Sequence, residues 1–587
     1  MTTIAEQTFT QIADKSFLDK KQTENYDWTL STSGSSLLDL FYLSVRTLSI
    51  VELEDLINNC YNEYEKDING IRHLIIQIFH MRAIRGKGKG EKNLFHHAFI
   101  MLYKKFPKTF CELVSIIPYY GSWQDLNIIA TLALKNNYSD LLDTCVSCFS
   151  KQLIVDYNNQ NNDISFAGKW APRENKKFND ISRLMIEKVW QMYKVNGVKS
   201  KHKNFRTIIT HLTRKLNVPE VLMSAKLWSE IKIKHFASVS LQKNTKFLAD
   251  EDKDGNRKHP NDINRSNLRE KFIDHLTNKD INVSELEPHT LVKKIMDSCN
   301  GKNFSNLDKL VLNKSYEYYL KHVQKLLQEN QTAAKTLGKI IPLCDVSGSM
   351  AGIPMYVAIA LSLLISNFTL KEFKNRILTF ESNPTWHKVD PKDTFVNQVI
   401  KLSRAPWGGS TNIDKALNRI YLVLEEMKNR NGSVNQDQVP DLIIFSDMQF
   451  DQARGNNNYY GNQVSVQDWN TCYERIEEKF KNLNVDPPKI IYWNLRSSYV
   501  GNHAPVKSDQ KNVQMLSGYN PSLFKAILFG EEETVIQEED KDGNLIIKKQ
   551  KVVLSPWETL IKIIDDFESS QIDKILSESK EGIFSIQ

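Results

Sequence analysis

Cysteine is scarce in this chain, with seven in 587 residues. So thin a supply excludes a disulfide framework and points to a reducing compartment. Only Cys145 and Cys148 form a CxxC, and no second pair or neighbouring histidine completes a zinc site, so both read as helix core. Long apolar runs are lacking too. None approaches the roughly 20 residues that a bilayer span requires, and the opening "MTTIAEQTFTQIADK" has neither the basic start nor the apolar middle of a signal peptide. With 41% hydrophobic and 25% charged residues, the composition is that of a soluble protein, expected in the cytoplasm. The length exceeds one core, so several domains or a repeat array are expected.

Charge is present and unevenly spread. The net figure is +7, yet residues 151–250 alone hold 19 Lys+Arg against 8 Asp+Glu. Trp170, Phe178, Trp190, Tyr193, Phe205 and Trp228 are interleaved with that charge. Basic side chains beside exposed rings suit RNA, through Coulomb attraction and base stacking. Most of these rings read better as helix core beneath a solvated lysine face, whereas the clustering of the charge is not explained that way.

Two rhythms divide the chain. After a tail at 1–34, residues 35–330 repeat apolar positions at three- and four-residue steps, as in "SLLDLFYLSVRTL" and "RHLIIQIFHMRAI", the mark of helices with one buried face. Short breakers ("FPK", "IPYYGSW", "NVPE") separate them, and helical hairpins in series suggest an α-solenoid of the HEAT class. Residues 249–263 mimic an EF-hand until Asn261 stands where the bidentate Glu is needed, so they read as an exposed loop. Beyond a linker at 331–338, residues 339–587 alternate short apolar runs ("KIIPLCDV", "RILTF", "DLIIFSD", "KIIYWNL") with helical stretches at 352–372, 411–428 and 468–483. That alternation predicts a parallel, doubly wound sheet with both faces covered. The expected fold class is therefore α + α/β.

"DVSGS" ends the first of these runs. Alternation aims Asp345, Ser347 and Ser349 toward one point. "PWGGSTNIDKAL" adds Thr411 at the start of a helix, and "IIFSDMQF" adds Asp447 at the end of another run. Strand ends are where such sheets bind ligands. Five oxygen donors without nitrogen or sulfur suit a hard cation, Mg²⁺ or Mn²⁺.

These residues resemble the metal-ion-dependent adhesion site (MIDAS) of von Willebrand factor A (vWA) domains, with Asp345, Ser347, Ser349, Thr411 and Asp447 matching in order. The resemblance implies a Rossmann-like vWA domain over 339–587. It also implies a cation left electrophilic enough to capture an acidic side chain from a protein partner. An intact domain with a vestigial site is the plainer alternative. In the front half, "IRGKGKGEK", "IPYYGSWQDL", "AGKWAPRE" and "LNVPEVLMSAKLWSEI" resemble an uncharacterised family that joins a helical region to such a domain. The arrangement is similar to the Ro autoantigen (TROVE) proteins, which implies RNA binding and a ribonucleoprotein role.

The candidate RNA contacts come from this chain's own basic residues: Arg85, Lys87 and Lys89 in a glycine-rich loop, then Lys169, Trp170, Arg173, Lys176, Lys199, Lys201 and Lys203. The loop lacks the GxxxxGK[ST] order of a nucleotide-binding P-loop and reads either as a phosphate contact or as a plain turn. Lys169, Trp170, Arg173 and Lys176 read either as RNA contacts or as packing and capping residues. An enzyme is not expected. Ser347 stands where an aspartyl phosphatase places its second Asp, two carboxylates are few for two-metal hydrolysis, and His387 reads as a surface residue of an edge hairpin. The expected function is a non-enzymatic RNA-binding scaffold with a cation-dependent partner site; the alternative is a metal-dependent protein-interaction module without RNA.

Overall fold

The computed structural model describes residues 20–22, 28–84, 86–161, 163–252, 254–278, 287–299, 305–329, 337–380, 384–404, 413–449, 477, 480–497, 504–539, 545–579, 581 and 584. Helices of eight residues or more run, in chain order, α1 (Ser36–Leu43), α2 (Ile50–Tyr64), α3 (Ile68–Arg82), α4 (Lys92–Tyr103), α5 (Trp123–Lys135), α6 (Ser139–Asn158), α7 (Asn179–Met192), α8 (Lys201–Lys215), α9 (Ser238–Leu248), α10 (Ile263–Asn278), α11 (Pro288–Cys299), α12 (Asn306–Glu329), α13 (Ile353–Ser366), α14 (Phe395–Ser403), α15 (Ile413–Asn431), α16 (Pro556–Asp566) and α17 (Ser570–Glu578). The architecture is a helical N-terminal region followed by a mixed sheet.

The compact units are not consecutive in the chain. Unit one gathers residues 1–63, 287–304 and 316–566; unit two gathers 64–286, 305–315 and 567–587. The expected division into 1–34, 35–330, 331–338 and 339–587 is therefore redrawn. Its tail and first helix, α1, belong with the sheet, and the last helix, α17, belongs with the helical unit. The reason is side-chain and backbone complementarity over long separations, which no local pattern records.

Unit one is built on six strands: β1 (Ile340–Asp345), β2 (Arg376–Phe380), β3 (Thr385–Lys388), β4 (Asp441–Ser446), β5 (Ile490–Asn494) and β6 (Val513–Ser517). They lie in the order β3-β2-β1-β4-β5-β6. Neighbours are parallel except β3, which runs antiparallel to β2 along the edge. The first strand is central and the chain leaves it to both sides, so the strand order reverses between β1 and β4. Every residue of β1 is buried, as an apolar strand covered on both faces should be. Pro354 opens α13, where its fixed φ suits a first turn, and nearly the whole of this helix is buried against β1.

The four apolar runs became β1, β2, β4 and β5, and His387 lies on the edge strand β3. Strand β6, "VQMLS", was not anticipated, because Gln514 and Ser517 interrupt its apolar pattern. Both are buried, and the Ser517 hydroxyl donates to the Phe41 carbonyl at 2.8 Å. Asn494 likewise donates to the Tyr42 carbonyl at 3.1 Å, so the C-terminal carbonyls of α1 are satisfied by polar groups at the strand ends.

Unit two is helical. Helices α5 to α8 pack on their chain neighbours, with Cys145 buried and Cys148 half-buried in α6 as helix core. α17 joins α3 through Arg72 and Asp573, 2.6 Å apart. The expected exposed loop at 249–263 differs from its reading at its start, where Ala249, Asp250 and Glu251 are buried. Asp250 is fully buried, and His259 and Arg265 bond its Oδ1 at 2.7 and 3.3 Å while Arg257 bonds Oδ2 at 3.2 Å. The first residue of the EF-hand mimic is thus an anchor for the loop, with its oxygens spent on protein donors.

Candidate metal centre and nucleic-acid surface

The reversal point of the sheet carries the oxygen cluster. β1 ends on Asp345, which is fully buried. Its Oδ1 accepts from the Ser347 backbone N–H at 2.9 Å, a local turn that starts the DxSxS loop. Its Oδ2 accepts from the Ser446 hydroxyl at 2.5 Å, across from the end of β4. The hydroxyls of Ser347 and Ser349 lie 3.0 Å apart. Asp447 follows β4 directly and is buried, and the Gln449 N–H bonds its Oδ1 at 3.2 Å. Met448, between them, sits at φ +62°, a left-handed conformation that costs energy for a residue with a long side chain.

Burial, reinforced by the negative charge of Asp447, pushes the Asp345 carboxyl up to about 7. Hydrogen bonds from Ser446 and Ser347 oppose that rise without cancelling it. Two carboxylates held together in a dry place call for a proton or a cation. Arg496 donates a guanidinium N–H to the Ser349 carbonyl and so braces the loop from the end of β5. Sequence reasoning missed Ser446 and Arg496; neither has a spacing signal, because both act from neighbouring strands.

Of the five matched donors, Asp345, Ser347, Ser349 and Asp447 lie at the ends of β1 and β4, and Thr411 lies outside the described residues. Among the described residues, no group of three or more His, Cys, Asp or Glu gathers as a metal site. The donor set here is two carboxylates plus hydroxyls, a chemistry that fits a hard cation and no softer one.

The basic candidates divide. Arg85 lies outside the described residues. Lys87 is exposed but engaged, 2.8 Å from Glu568 and over the Tyr119 ring at 4.6 Å. Lys89 is a correction: it is 1% exposed, and burial pulls its ammonium down to about 7. A side chain shut away from solvent cannot meet a phosphate, so the glycine-rich loop serves packing at this position. Lys169 and Lys201 are half-exposed, and Trp170, Arg173, Lys176, Lys199 and Lys203 are exposed. Lys201 is paired with Glu187. For Lys169, Arg173, Lys176, Lys199 and Lys203, no ion pair occurs among the described residues. Of the interleaved rings, Phe205 is buried and Phe178, Trp190, Tyr193 and Trp228 are half-buried, as helix core predicts.

The two glycine-bearing motifs meet in unit two. The Ile84 N–H bonds the Tyr120 carbonyl at 3.1 Å. Beneath that bond, Arg82 lies 2.7 Å from Asp125 Oδ2 and His96 lies 2.8 Å from Oδ1, all three nearly fully buried. Burial alone would raise the Asp125 carboxyl, but His96 and Arg82 outweigh it and hold it well below the usual range. Gly121 has no room for a side chain: a Cβ there would stand 2.5 Å from Asp125 Oδ2.

A mixed, mainly parallel sheet with an oxygen cluster at its reversal point, together with a helical unit, defines an α + α/β protein of two units. A family model described as "Domain of unknown function (DUF2828)" matches residues 23–137 and 120–335, more than half of the chain, and the chain belongs to that family. A second model, "Domain of unknown function (DUF7788)", matches residues 339–564. The chain is also 28% identical over 533 residues to "Uncharacterized protein L728" of Acanthamoeba polyphaga mimivirus, covering 87% of this chain and 85% of that protein. No solved structure matches. No helix among the described residues is long and apolar enough to cross a membrane.

Proposed function

We propose that this protein is a non-enzymatic RNA-binding scaffold of the Ro/TROVE kind, with a vWA domain that binds a divalent cation and captures a partner through it. The observation that carries the cation reading is Asp345: a buried carboxyl at a strand end, raised to about 7 by burial and by Asp447, with two hydroxyls 3.0 Å apart on the adjoining loop. The strand order with a reversed edge strand accords with a vWA domain. Asp345, Ser347, Ser349, Thr411 and Asp447 would hold Mg²⁺ or Mn²⁺. The ion would supply an electrophilic position for an acidic side chain of a protein partner. On the helical side, successive helices packed on their neighbours accord with a HEAT-like array, and five lysine or arginine side chains without ion pairs among the described residues accord with phosphate contacts.

The test is recovery of what co-purifies with the full chain, with and without nuclease and with and without EDTA. RNA lost to nuclease, and a protein partner lost to EDTA and to Asp345→Ala, are the expected results. Purified protein that binds neither structured nor single-stranded RNA at low salt would sink the RNA half. The cation cluster lies wholly in unit one, which favours a second reading: a cation-dependent protein-assembly module acting without RNA. A partner that survives nuclease but not EDTA, with no RNA recovered, would select it.

A further inference from the structure

We propose that Phe166 and Trp170 form a two-ring platform on which adjacent bases of single-stranded RNA stack, an inference that rests on the RNA reading above. Phe166 is 55% exposed and Trp170 is 36% exposed, on a single helical turn. The Trp170 N–H bonds the Phe166 carbonyl at 3.2 Å, so the two residues are four apart on one turn and share a face.

The turn is held, not loose. On its leading side, the Ser165 N–H and hydroxyl both donate to Asp156, at 3.2 and 2.6 Å, and the Ala167 N–H bonds the Ser165 hydroxyl at 3.1 Å. On its trailing side, Asn127 donates to the Trp170 carbonyl at 3.0 Å. Its inner face is Ala167 and Gly168, both buried; a Cβ on Gly168 would stand 2.6 Å from Leu212 Cβ, so only glycine lets the turn press so close to α8. The backbone that carries the two exposed rings is thus held by part-buried hydrogen bonds on both sides. Large rings usually go inside, and a rigid exposed pair marks a contact surface.

The surrounding charge selects the occupant. Lys169, half-exposed, lies between Phe166 and Trp170 in sequence, and Arg173 and Lys176 follow in exposed positions. Of the acids around the turn, Asp163 is exposed three residues before Phe166, Asp156 accepts from Ser165, and Glu174 is occupied by His202 at 2.6 Å with Arg206 at 4.0 Å, so the basic side chains outnumber the one open carboxylate. A polyanion with flat, unpaired faces satisfies both halves of the patch. Bases within a duplex are already stacked and offer no such faces, so a single strand is favoured.

The experiment measures binding of fluorescein-labelled oligouridine to the full-length protein by anisotropy, across a salt series. Phe166→Ala and Trp170→Ala should each weaken binding about tenfold. The salt slope should stay as it is, since rings release no counterions. Trp170→Phe, which keeps a ring, should bind close to the original protein. Should an alanine variant melt early, quenching of indole fluorescence by RNA in the original protein, absent in Trp170→Phe, reads the same contact in folded material. Alanine variants that bind undiminished while Lys199→Glu weakens binding would overturn the platform and leave the RNA reading standing. No RNA binding by the original protein would overturn both, and binding of oligothymidine with none of oligouridine would overturn the choice of RNA.

Discussion

The Ser446 hydroxyl donates to Asp345 Oδ2 at 2.5 Å, tying together the ends of two neighbouring parallel strands. That bond fixes the carboxyl of Asp345 beside the exit of the facing strand, one residue from Asp447, where burial and like charge raise it and no ion pair to it occurs among the described residues.

A divalent ion should therefore stabilise unit one. With Mg²⁺ at a hundred times its dissociation constant, stabilisation of about 2.7 kcal/mol is expected over the same protein in EDTA. Asp345→Asn keeps the shape and removes the charge, and it should abolish the response to Mg²⁺. Thermal unfolding with and without the ion reads both; equal shifts in the two proteins would show that the ion binds elsewhere.

The same carboxyl predicts a pH dependence. Its ordinary value is 3.8 and its folded value is about 7. An acid raised on folding stabilises the native state below its ordinary value, and that contribution drains away as pH climbs through about 7. In EDTA, urea midpoints of the original protein should thus lose ground to those of Asp345→Asn between pH 4 and 7, a window set by the two values. Mg²⁺ replaces the proton and should flatten the difference.

Arg82→Leu should be costly. It leaves the buried Asp125 carboxylate with His96 and Ser122 alone, and breaking one side of a buried pair costs about 3–5 kcal/mol. Because the Asp125 carboxyl is depressed, its contribution exists above its ordinary value of 3.8 and is lost as pH falls below it. Chemical denaturation at neutral and acid pH should show a large loss for Arg82→Leu at neutrality that narrows on acidification.

Charge reversals sort the lysines. Lys199→Glu and Lys203→Glu should weaken RNA binding and lower the salt slope by about 1 each, as lost phosphate contacts do. Lys201→Glu should do less per charge, because Glu187 already occupies that ammonium. Lys89→Met, at a buried site, should leave RNA binding untouched. Filter binding at several salt concentrations separates these outcomes.

The sequence exposed what local pattern can carry. The apolar runs at 340–345, 376–380, 441–446 and 490–494 are strands, and both Asp345 and Asp447 stand at strand ends as their positions implied. Strand β6 was illegible because its buried Gln514 and Ser517 look polar out of context, and their hydrogen-bond partners lie in other elements. Lys89 looked like a surface charge because a glycine-rich run reads as a loop whether its side chains point out or in. Phe166 carried no motif; only the closure of its turn against α8 set it beside Trp170 facing outward. The membership of α1 and α17 was hidden for a deeper reason: their partners are hundreds of residues away, and one sequence contains no record of such pairings.

That remoteness has a cost during synthesis. The Phe41 carbonyl waits for the hydroxyl of Ser517, 476 residues later. At ordinary ribosomal speeds the wait is on the order of half a minute to a minute and a half. Throughout that interval the buried face of α1, with Leu37, Leu38, Phe41 and Tyr42, has no sheet to cover it. A chain cut short before β6 would leave that apolar face of α1 without the Ser517 hydroxyl that caps it.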